Sequence, residues 1–294
     1  MDAVSRIERA LSAALSHAGK AGGPPRLGKA MEHAVFPRGA RVRPRLCLAV
    51  AAACGEDDPA AADAAAAAIE LLHCASLVHD DLPCFDNADV RRGRPSVHRA
   101  FGEPLAVLAG DALIVLAFQT IARGAGAAPR RLGPLLEVVG AAVGAPAGIA
   151  AGQAWECEPP ETVDLGHYQR SKTGILFAAA AMAGAVSAGA EGGPWRLLGE
   201  RLGEAYQVAD DIRDAAAEPE EMGKPAGRDV ALGRPSAATS YGVSGAVTRL
   251  EALAAEAMAA VPPCRGAAEL RGLIRSEAKR LMPASLAARA VAAA

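Results

Sequence analysis

Two short stretches of this chain gather side chains able to hold a metal ion and a phosphate. In "QVADDIRD", residues 207 to 214, Gln207, Asp210, Asp211 and Asp214 fall at i, i+3, i+4 and i+7, which on a helix is a single stripe. An amphipathic helix ordinarily fills that stripe with apolar residues. Carboxylates so placed repel one another: at ~4 Å and an effective dielectric of ~20 each neighbouring pair costs on the order of 4 kcal/mol before screening. A bound cation removes that cost. Hard divalent ions such as magnesium take oxygen ligands, keep several waters and commonly share a site with substrate phosphates. Taken alone, the stripe also fits a solvated polar face.

The second stretch is "SLVHDDLPCFDNADVRRG", residues 76 to 93, set inside an alanine- and leucine-rich, helix-like region. Asp80 and Asp81 close an apolar helix, and Asp86 follows six residues later. On an unbroken helix Asp86 would point well away from Asp80. Pro83 lacks a backbone donor and bends or ends the helix, so the third carboxylate can swing back. Arg91 and Arg92 come next, and their planar forked donors suit phosphate oxygens, although they could equally pair with the carboxylates. Two acidic clusters on separate helices, each trailed by basic residues, point to a metal–phosphate site.

The elements that must position these residues read as helices throughout. Hydrophobic residues make up 51% of the 294 and aromatics only 3%, so the core is built from Ala, Leu and Val in proportions that favour helices over sheets. Apolar residues recur at three- and four-residue spacing over Asp2–His17, Leu27–Phe36, Val42–Cys54, Pro59–Leu82, Leu105–Arg123, Leu132–Trp155, Leu165–Ala188, Trp195–Ala217, Ser236–Ala260 and Ala267–Leu281. About ten helices are expected, in an all-α bundle around a central cavity. No alternating strand pattern, repeat or linker divides the chain, so 1–294 reads as one domain.

The formal net charge of −2 provides no broad field for nucleic acid or an anionic membrane. The six cysteines contain no C-x-x-C pair and read as thiols of a reducing compartment. "MDAVSRIERALSAALSH" carries charges where an export signal needs apolar residues, so a cytoplasmic location is expected. The run Thr173–Ala190 is uncharged but rich in Ala and Gly, and reads as a buried core helix with no transmembrane segment. His79, Asp111, Trp155, Trp195 and Tyr206 read as packing or supporting residues, and no specific chemistry is assigned to His98.

The residues resemble the trans-isoprenyl diphosphate synthases, the family that includes farnesyl and geranylgeranyl diphosphate synthases. The likeness runs from about Arg38 to Arg234 and is specific in "LLHCASLVHDDLPCFDNADVRRGRPSVHRAFGEPLAVLAGDAL". The resemblance implies that Asp80, Asp81 and Asp86, as a D-D-x-x-x-x-D motif, and Asp210, Asp211 and Asp214, as D-D-x-x-D, are catalytic and hold about three magnesium ions on an allylic diphosphate. It further implies that Arg91, Lys172 and Lys224 grip that diphosphate, with Lys172 counted among the catalytic groups, and that Thr173 and Gln207 line its site. The family's G-K-R-x-R-P motif matches "GARVRP", so Arg41, His73 and Arg92 are expected to bind isopentenyl diphosphate. Two departures stand out: Ala40 where most members have lysine, and Arg234 where a second downstream lysine is usual.

By the same resemblance, the reaction is the head-to-tail joining of isopentenyl diphosphate to an allylic diphosphate, in carotenoid or other isoprenoid biosynthesis. A large aromatic five residues before Asp80 tends in the family to stop elongation at fifteen carbons. Small Ala75 and Ser76 stand there, so the twenty-carbon product, geranylgeranyl diphosphate, is expected. Farnesyl diphosphate synthase, an inactive regulatory subunit and a terpene cyclase are the alternatives; "DDIRD" argues against the cyclase, and the full set of aspartates against the inactive subunit. A homodimer is expected from the family.

Overall fold

In the computed structural model, residues 2–18, 23–36, 39–164, 168, 170–216 and 237–281 are described, the side chains of 160, 214–216, 237–240 and 281 excepted. The described residues form α1 (Ala3–Ala18), α2 (Pro25–Val35), α3 (Val42–Ala53), α4 (Pro59–Asp80), α5 (Val97–Phe101) and α6 (Glu103–Gly124), followed by α7 (Pro129–Val143), α8 (Ile149–Ala154), α9 (Ile175–Ser187), α10 (Arg196–Ala216), α11 (Ala237–Ala259) and α12 (Ala267–Leu281). The all-α expectation holds, with one small exception that matters for the site.

Helix α4 is the central element. The Asp58 carboxylate caps it by accepting from the backbone N–H groups of Ala60 and Ala61 at 3.1 and 3.2 Å, and Pro59 supplies a preset first turn. Its alanine run lets neighbours approach closely. Against α6 the contact is so tight that a Cβ on Gly124 would stand 2.2 Å from the Ala64 Cβ. Helix α9, the uncharged run noted above, is buried along nearly its whole length and packs against α3, α4, α7 and α10. The same logic of small residues joins α9 to α10, where a Cβ on Gly199 would stand 2.4 Å from the Ala178 Cα. One apolar cluster runs from Ile7 in α1 to Ile274 in α12.

Helix α10 carries the second aspartate cluster, and its apolar side explains its orientation. Ala205, Val208, Ala209 and Ile212 pack on Ala246, Leu250 and Leu253 of α11, which leaves Gln207 and its neighbours to face elsewhere. Among the described residues, two helices, α4 and α6, are long and apolar enough to cross a membrane by length and composition. In α4, 78% of the apolar window is buried inside the protein, against 44% in α6, so α4 is a core helix and α6 keeps an uncovered apolar side.

Several local features differ from the periodicity; one is a kink in α11 at Gly242, whose φ 67° and ψ 168° are not helical. The expected helix over Leu132–Trp155 is broken into α7 and α8, because Gly144 is extended (φ −82°, ψ −162°) and Pro146 cannot donate to a helix. The expected helix from Leu165 opens, within its described part, as a π-helical turn at Arg170–Gly174. Residues Val90–Arg91 and Arg94–Pro95 form a small antiparallel ribbon, β1 and β2, with Arg91 opposite Arg94. Its two-residue connection is Arg92–Gly93, both left-handed at φ 53° and 73°, as a tight hairpin of this length requires.

Candidate active site

The first acidic cluster forms where α4 ends. Asp80 is its last residue and Asp81 its C-cap. The chain then folds back on the helix end: the Asp86 N–H donates to the Asp80 carbonyl at 2.9 Å, and the Ala88 N–H to the Asp81 carbonyl at 3.2 Å. This return brings Asp86 beside the other two, as the helix break at Pro83 predicts. Asp81 is 2% exposed, and Arg91, held out on the ribbon, reaches back to it with Nε at 3.0 Å and Nη2 at 2.5 Å. Arg91 Nη2 also stands 3.8 Å from Asp80. Burial pushes the Asp81 carboxyl up from its ordinary pKa, opposed by the Arg91 guanidinium.

The second cluster is joined to the first through the π-helical turn. Lys172 on that turn donates from Nζ to Asp80 Oδ1 at 3.2 Å and to Glu156. The next residue, Thr173, donates its hydroxyl to Gln207 Oε1 at 3.3 Å, and Gln207 Nε2 donates to Asp211 Oδ1 at 3.0 Å. A wider helical turn aims two consecutive side chains at two different helices, a common use of π-bulges at functional positions. Burial works against a charge on Lys172, but Asp80 and then Glu156 more than offset it, so its pKa lies above the ordinary lysine value. Asp211 is 5% exposed, whereas Asp210 is largely exposed and pairs with Arg213. The two adjacent aspartates therefore lie in different surroundings, with Asp211 toward Gln207 and Asp210 at the rim. Asp214's side chain, Lys224 and Arg234 lie outside the described residues.

Among the described residues, no three His, Cys, Asp or Glu side chains stand close enough to hold an ion by themselves. The donors at Asp80, Asp81, Asp210 and Asp211 are carboxylate oxygens throughout. That chemistry fits a hard divalent cation whose shell is completed by water and diphosphate oxygens.

Around His73 the expected set is reshaped. Arg41 is 3% exposed and engaged through all three of its nitrogens: Nη1 meets Glu70 at 2.7 Å, Nε meets Glu8 at 3.0 Å, and Nη2 donates to the Val35 carbonyl at 2.9 Å. These contacts bury the side chain among protein partners, which speaks against the expectation that it binds isopentenyl diphosphate. Its left-handed backbone, φ 50°, turns it that way just before α3. Arg43, the second arginine of the same motif, stands by His73 instead, with Nη1 3.5 Å from His73 Nε2 and its guanidinium over the Phe177 ring at 4.3 Å. Its Nε is buried without a partner. Burial, and after it the charges of Arg43, Arg92, Arg91 and Arg41, hold His73 well below the ordinary histidine pKa. The imidazole is thus neutral, ringed by cations. Arg92 lies in this ring, 3.8 Å from Glu70.

Ala75 is 1% exposed within the packed core, on the stripe of α4 that continues from Ala64 to His79 and faces α6. Ser76 is half-buried, and its hydroxyl donates to the His73 carbonyl at 2.8 Å. A cleft opens on the other side of this helix, lined by His33, Cys74, Asp81, Arg91 and Arg92 among others. It lies behind the aspartates and not between the two clusters. His79 packs into the space left by Gly110 and sits 3.3 Å from the Val107 carbonyl and 3.6 Å from Asp111. Asp111 is exposed and not enclosed in its helix. His98 is buried, with Nδ1 3.0 Å from the Ser96 hydroxyl and Nε2 unpartnered. Trp195 is core, and Tyr206 packs on Phe177 with ring centroids 5.0 Å apart.

Sequence reading missed three groups here: Arg43, Glu70 and Glu156. Glu156 receives Lys172, the Tyr168 hydroxyl at 2.5 Å and Gln153 Nε2 at 3.0 Å, and the only cue in the sequence is the i, i+3 spacing of Gln153 and Glu156. Glu70 had a stronger cue, the single carboxylate between Asp63 and Asp80 in an apolar helix, one turn before His73.

As a class, this is an all-helical bundle whose paired aspartates and cations converge over an apolar interior. The chain belongs to the polyprenyl synthetase family, whose model matches residues 24–262. It is 51% identical over 284 residues to a geranylgeranyl diphosphate synthase of Cereibacter sphaeroides, covering 97% of this chain and 98% of that one. A geranylgeranyl diphosphate synthase of Rhodobacter capsulatus is 51% identical over 282 residues, covering 95% and 97%. Among solved structures, a geranyltransferase from Helicobacter pylori complexed with magnesium and isoprenyl diphosphate superposes with a TM-score of 0.79 at 29% identity, covering 94% of this chain and 96% of that one. A geranylgeranyl pyrophosphate synthetase from Pyrococcus horikoshii gives 0.78 at 28% identity, covering 92% and 94%.

Proposed function

We propose that this protein is a magnesium-dependent prenyltransferase that joins isopentenyl diphosphate head-to-tail to an allylic diphosphate, with geranylgeranyl diphosphate as product. The observation that carries the reading is the bridge between the two aspartate helices: Lys172 on Asp80, and Thr173 on Gln207 and through it Asp211. The names of the two relatives at 51% identity support the twenty-carbon product, and small Ala75 and Ser76 agree with it.

Asp80, Asp81 and Asp86, with Asp210, Asp211 and Asp214, would hold the magnesium. When bound, the metal supplies charge neutralisation for the departing pyrophosphate. The protein's own cations do the complementary work. Arg91 and Lys172 rest on carboxylates, and an arriving diphosphate, which Thr173 also adjoins, offers them oxygens in the same region; Lys224 would add a further cation, by the family resemblance. Arg91 and Lys172 thus neutralise the aspartates before binding and the leaving group after it. Arg43, Arg92 and neutral His73 form the anion site for isopentenyl diphosphate, with Arg43 taking the place first assigned to Arg41. The allylic C–O bond breaks, its electrons leaving with pyrophosphate. The double bond of isopentenyl diphosphate then forms the new C–C bond, and a proton is lost to the released pyrophosphate. Apolar walls of Ala and Leu keep water from the cationic carbon.

Residues 1–294 act as one polyprenyl synthase domain, on the ground that a single core cluster joins described helices from α1 to α12. A homodimer is supported by the uncovered side of α6, where Val107, Leu108 and Val115 are 41%, 52% and 56% exposed. Six free cysteines favour a cytoplasmic location. The test is incubation with radiolabelled isopentenyl diphosphate, magnesium and dimethylallyl, geranyl or farnesyl diphosphate, followed by chromatography of the dephosphorylated products. Twenty-carbon chains support the reading, fifteen-carbon chains move it to farnesyl diphosphate synthesis, and no incorporation refutes it.

A further inference from the structure

Glu70 is a buried carboxylate that the chemistry above leaves unused. It lies on α4 one turn before His73, is 1% exposed, accepts from Arg41 at 2.7 Å and stands 3.8 Å from Arg92 Nη2. A negative charge beside an anion site weakens anion binding unless it does something else. The surroundings indicate what. Arg92 sits in a left-handed turn at φ 53°, and its guanidinium is packed so closely on Gly39 that a Cβ there would lie 2.7 Å from Nη2. Arg92 Nη1 reaches Cys74 Sγ at 4.0 Å. One edge of the guanidinium is therefore held by Glu70 and its neighbours, while an arginine has five donors to offer.

We propose that Glu70 is a positioning residue for isopentenyl diphosphate: it holds the Arg92 guanidinium in place for the diphosphate, and Arg41 and Glu8 anchor it to α1. A long arginine side chain that is ordered beforehand costs the ligand less entropy on binding than one that must be ordered by it. Glu70 itself is paired in the interior with Arg41, which also donates to Glu8 and the Val35 carbonyl. The role of Arg92 rests on the reading in the preceding subsection.

Steady-state kinetics of the full chain test it, with isopentenyl and allylic diphosphates varied separately. Glu70→Gln keeps size and an acceptor but removes the charge, and is expected to raise KM for isopentenyl diphosphate about tenfold while KM for the allylic substrate stays within about twofold. Glu70→Asp, which keeps the charge, recovers part of the loss. In an Arg92→Gln background, Glu70→Gln has no further effect on the isopentenyl KM, since the group it acts through is gone. Equal rises in both KM values, or an undiminished Glu70→Gln effect in the Arg92→Gln background, would overturn the proposal and leave Glu70 a purely structural charge. Should Glu70→Gln not fold, Glu70→Asp decides: a selective rise in isopentenyl KM supports the role, and equal or absent changes overturn it. Wild-type protein that transfers no prenyl group overturns the functional reading and this role with it. Active wild-type protein whose Glu70 variants keep the normal isopentenyl KM overturns this role alone.

Discussion

Arg41→Met is the change that best separates structural from substrate-binding arginines in the "GARVRP" stretch. Arg41 spends its donors on Glu70 at 2.7 Å, Glu8 at 3.0 Å and the Val35 carbonyl at 2.9 Å. Removing it leaves the Glu70 carboxylate, 1% exposed, with Arg92 at 3.8 Å as its nearest recorded cation. Breaking a buried pair from one side costs about 3–5 kcal/mol. At about 2–4 °C per kcal/mol for a chain somewhat smaller than this one, the expected fall in Tm is about 6–20 °C. Thermal unfolding followed by circular dichroism reads it, and KM for isopentenyl diphosphate measured below the transition stays within about threefold. The double variant Arg41→Met, Glu70→Met removes both charges and should recover most of the Tm, because an apolar pair of similar volume is neutral or stabilising in place of a buried ion pair. It should also show the isopentenyl defect of Glu70 variants. An Arg41→Met protein with unchanged Tm and a tenfold or greater rise in isopentenyl KM would sink the reasoning, since the arginine would then have to reach the substrate.

Asp80→Asn takes one carboxylate from the first cluster and one of two partners from Lys172, and by the proposed role turnover in the radiolabel assay should drop by about two to three orders of magnitude with little change in Tm. Gly124→Ala places a methyl 2.2 Å from the Ala64 Cβ and 2.9 Å from the Ala60 carbonyl; forcing α4 and α6 apart should cost about 1–3 kcal/mol, seen as a lower Tm with both KM values unaltered. Ser76→Phe should shift products toward fifteen carbons with modest loss of stability, because Ser76 is half-buried, whereas Ala75→Tyr should shorten products and lower Tm, because Ala75 is packed on all sides. Twenty-carbon chains from both variants would remove the chain-length argument. Val115→Glu, on the exposed side of α6, should convert a dimer to monomer in sedimentation velocity, and an unchanged sedimentation coefficient would place the dimer contact elsewhere or nowhere.

What could be read from the chain without coordinates depended on short-range rules. Helix type and most boundaries followed from periodicity, because 3.6-residue spacing and the Asp58, Pro59 start of α4 act within a few residues. The aspartate pairs and the return of Asp86 past Pro83 were legible for the same reason, and family resemblance supplied their roles. Where neighbours in sequence differ, local rules gave no help. Arg41 and Arg43 are two residues apart with the same chemistry, yet one ends among Glu8 and Glu70 and the other beside His73. Asp210 and Asp211 are adjacent, and packing against α11 decides that only Asp211 is buried on the Gln207 side.

The sequence by itself determined the helices, the paired carboxylates and the stock of cations near them. Only the tertiary structure decided which cation meets which carboxylate. Those pairings join residues as distant as Lys172 and Asp80 or Glu70 and Arg92, and depend on how closely the alanine and glycine faces of α4, α6, α9 and α10 let the helices approach. An ion pair responds to a few ångströms of separation and to burial, and both quantities exist only after the bundle has closed.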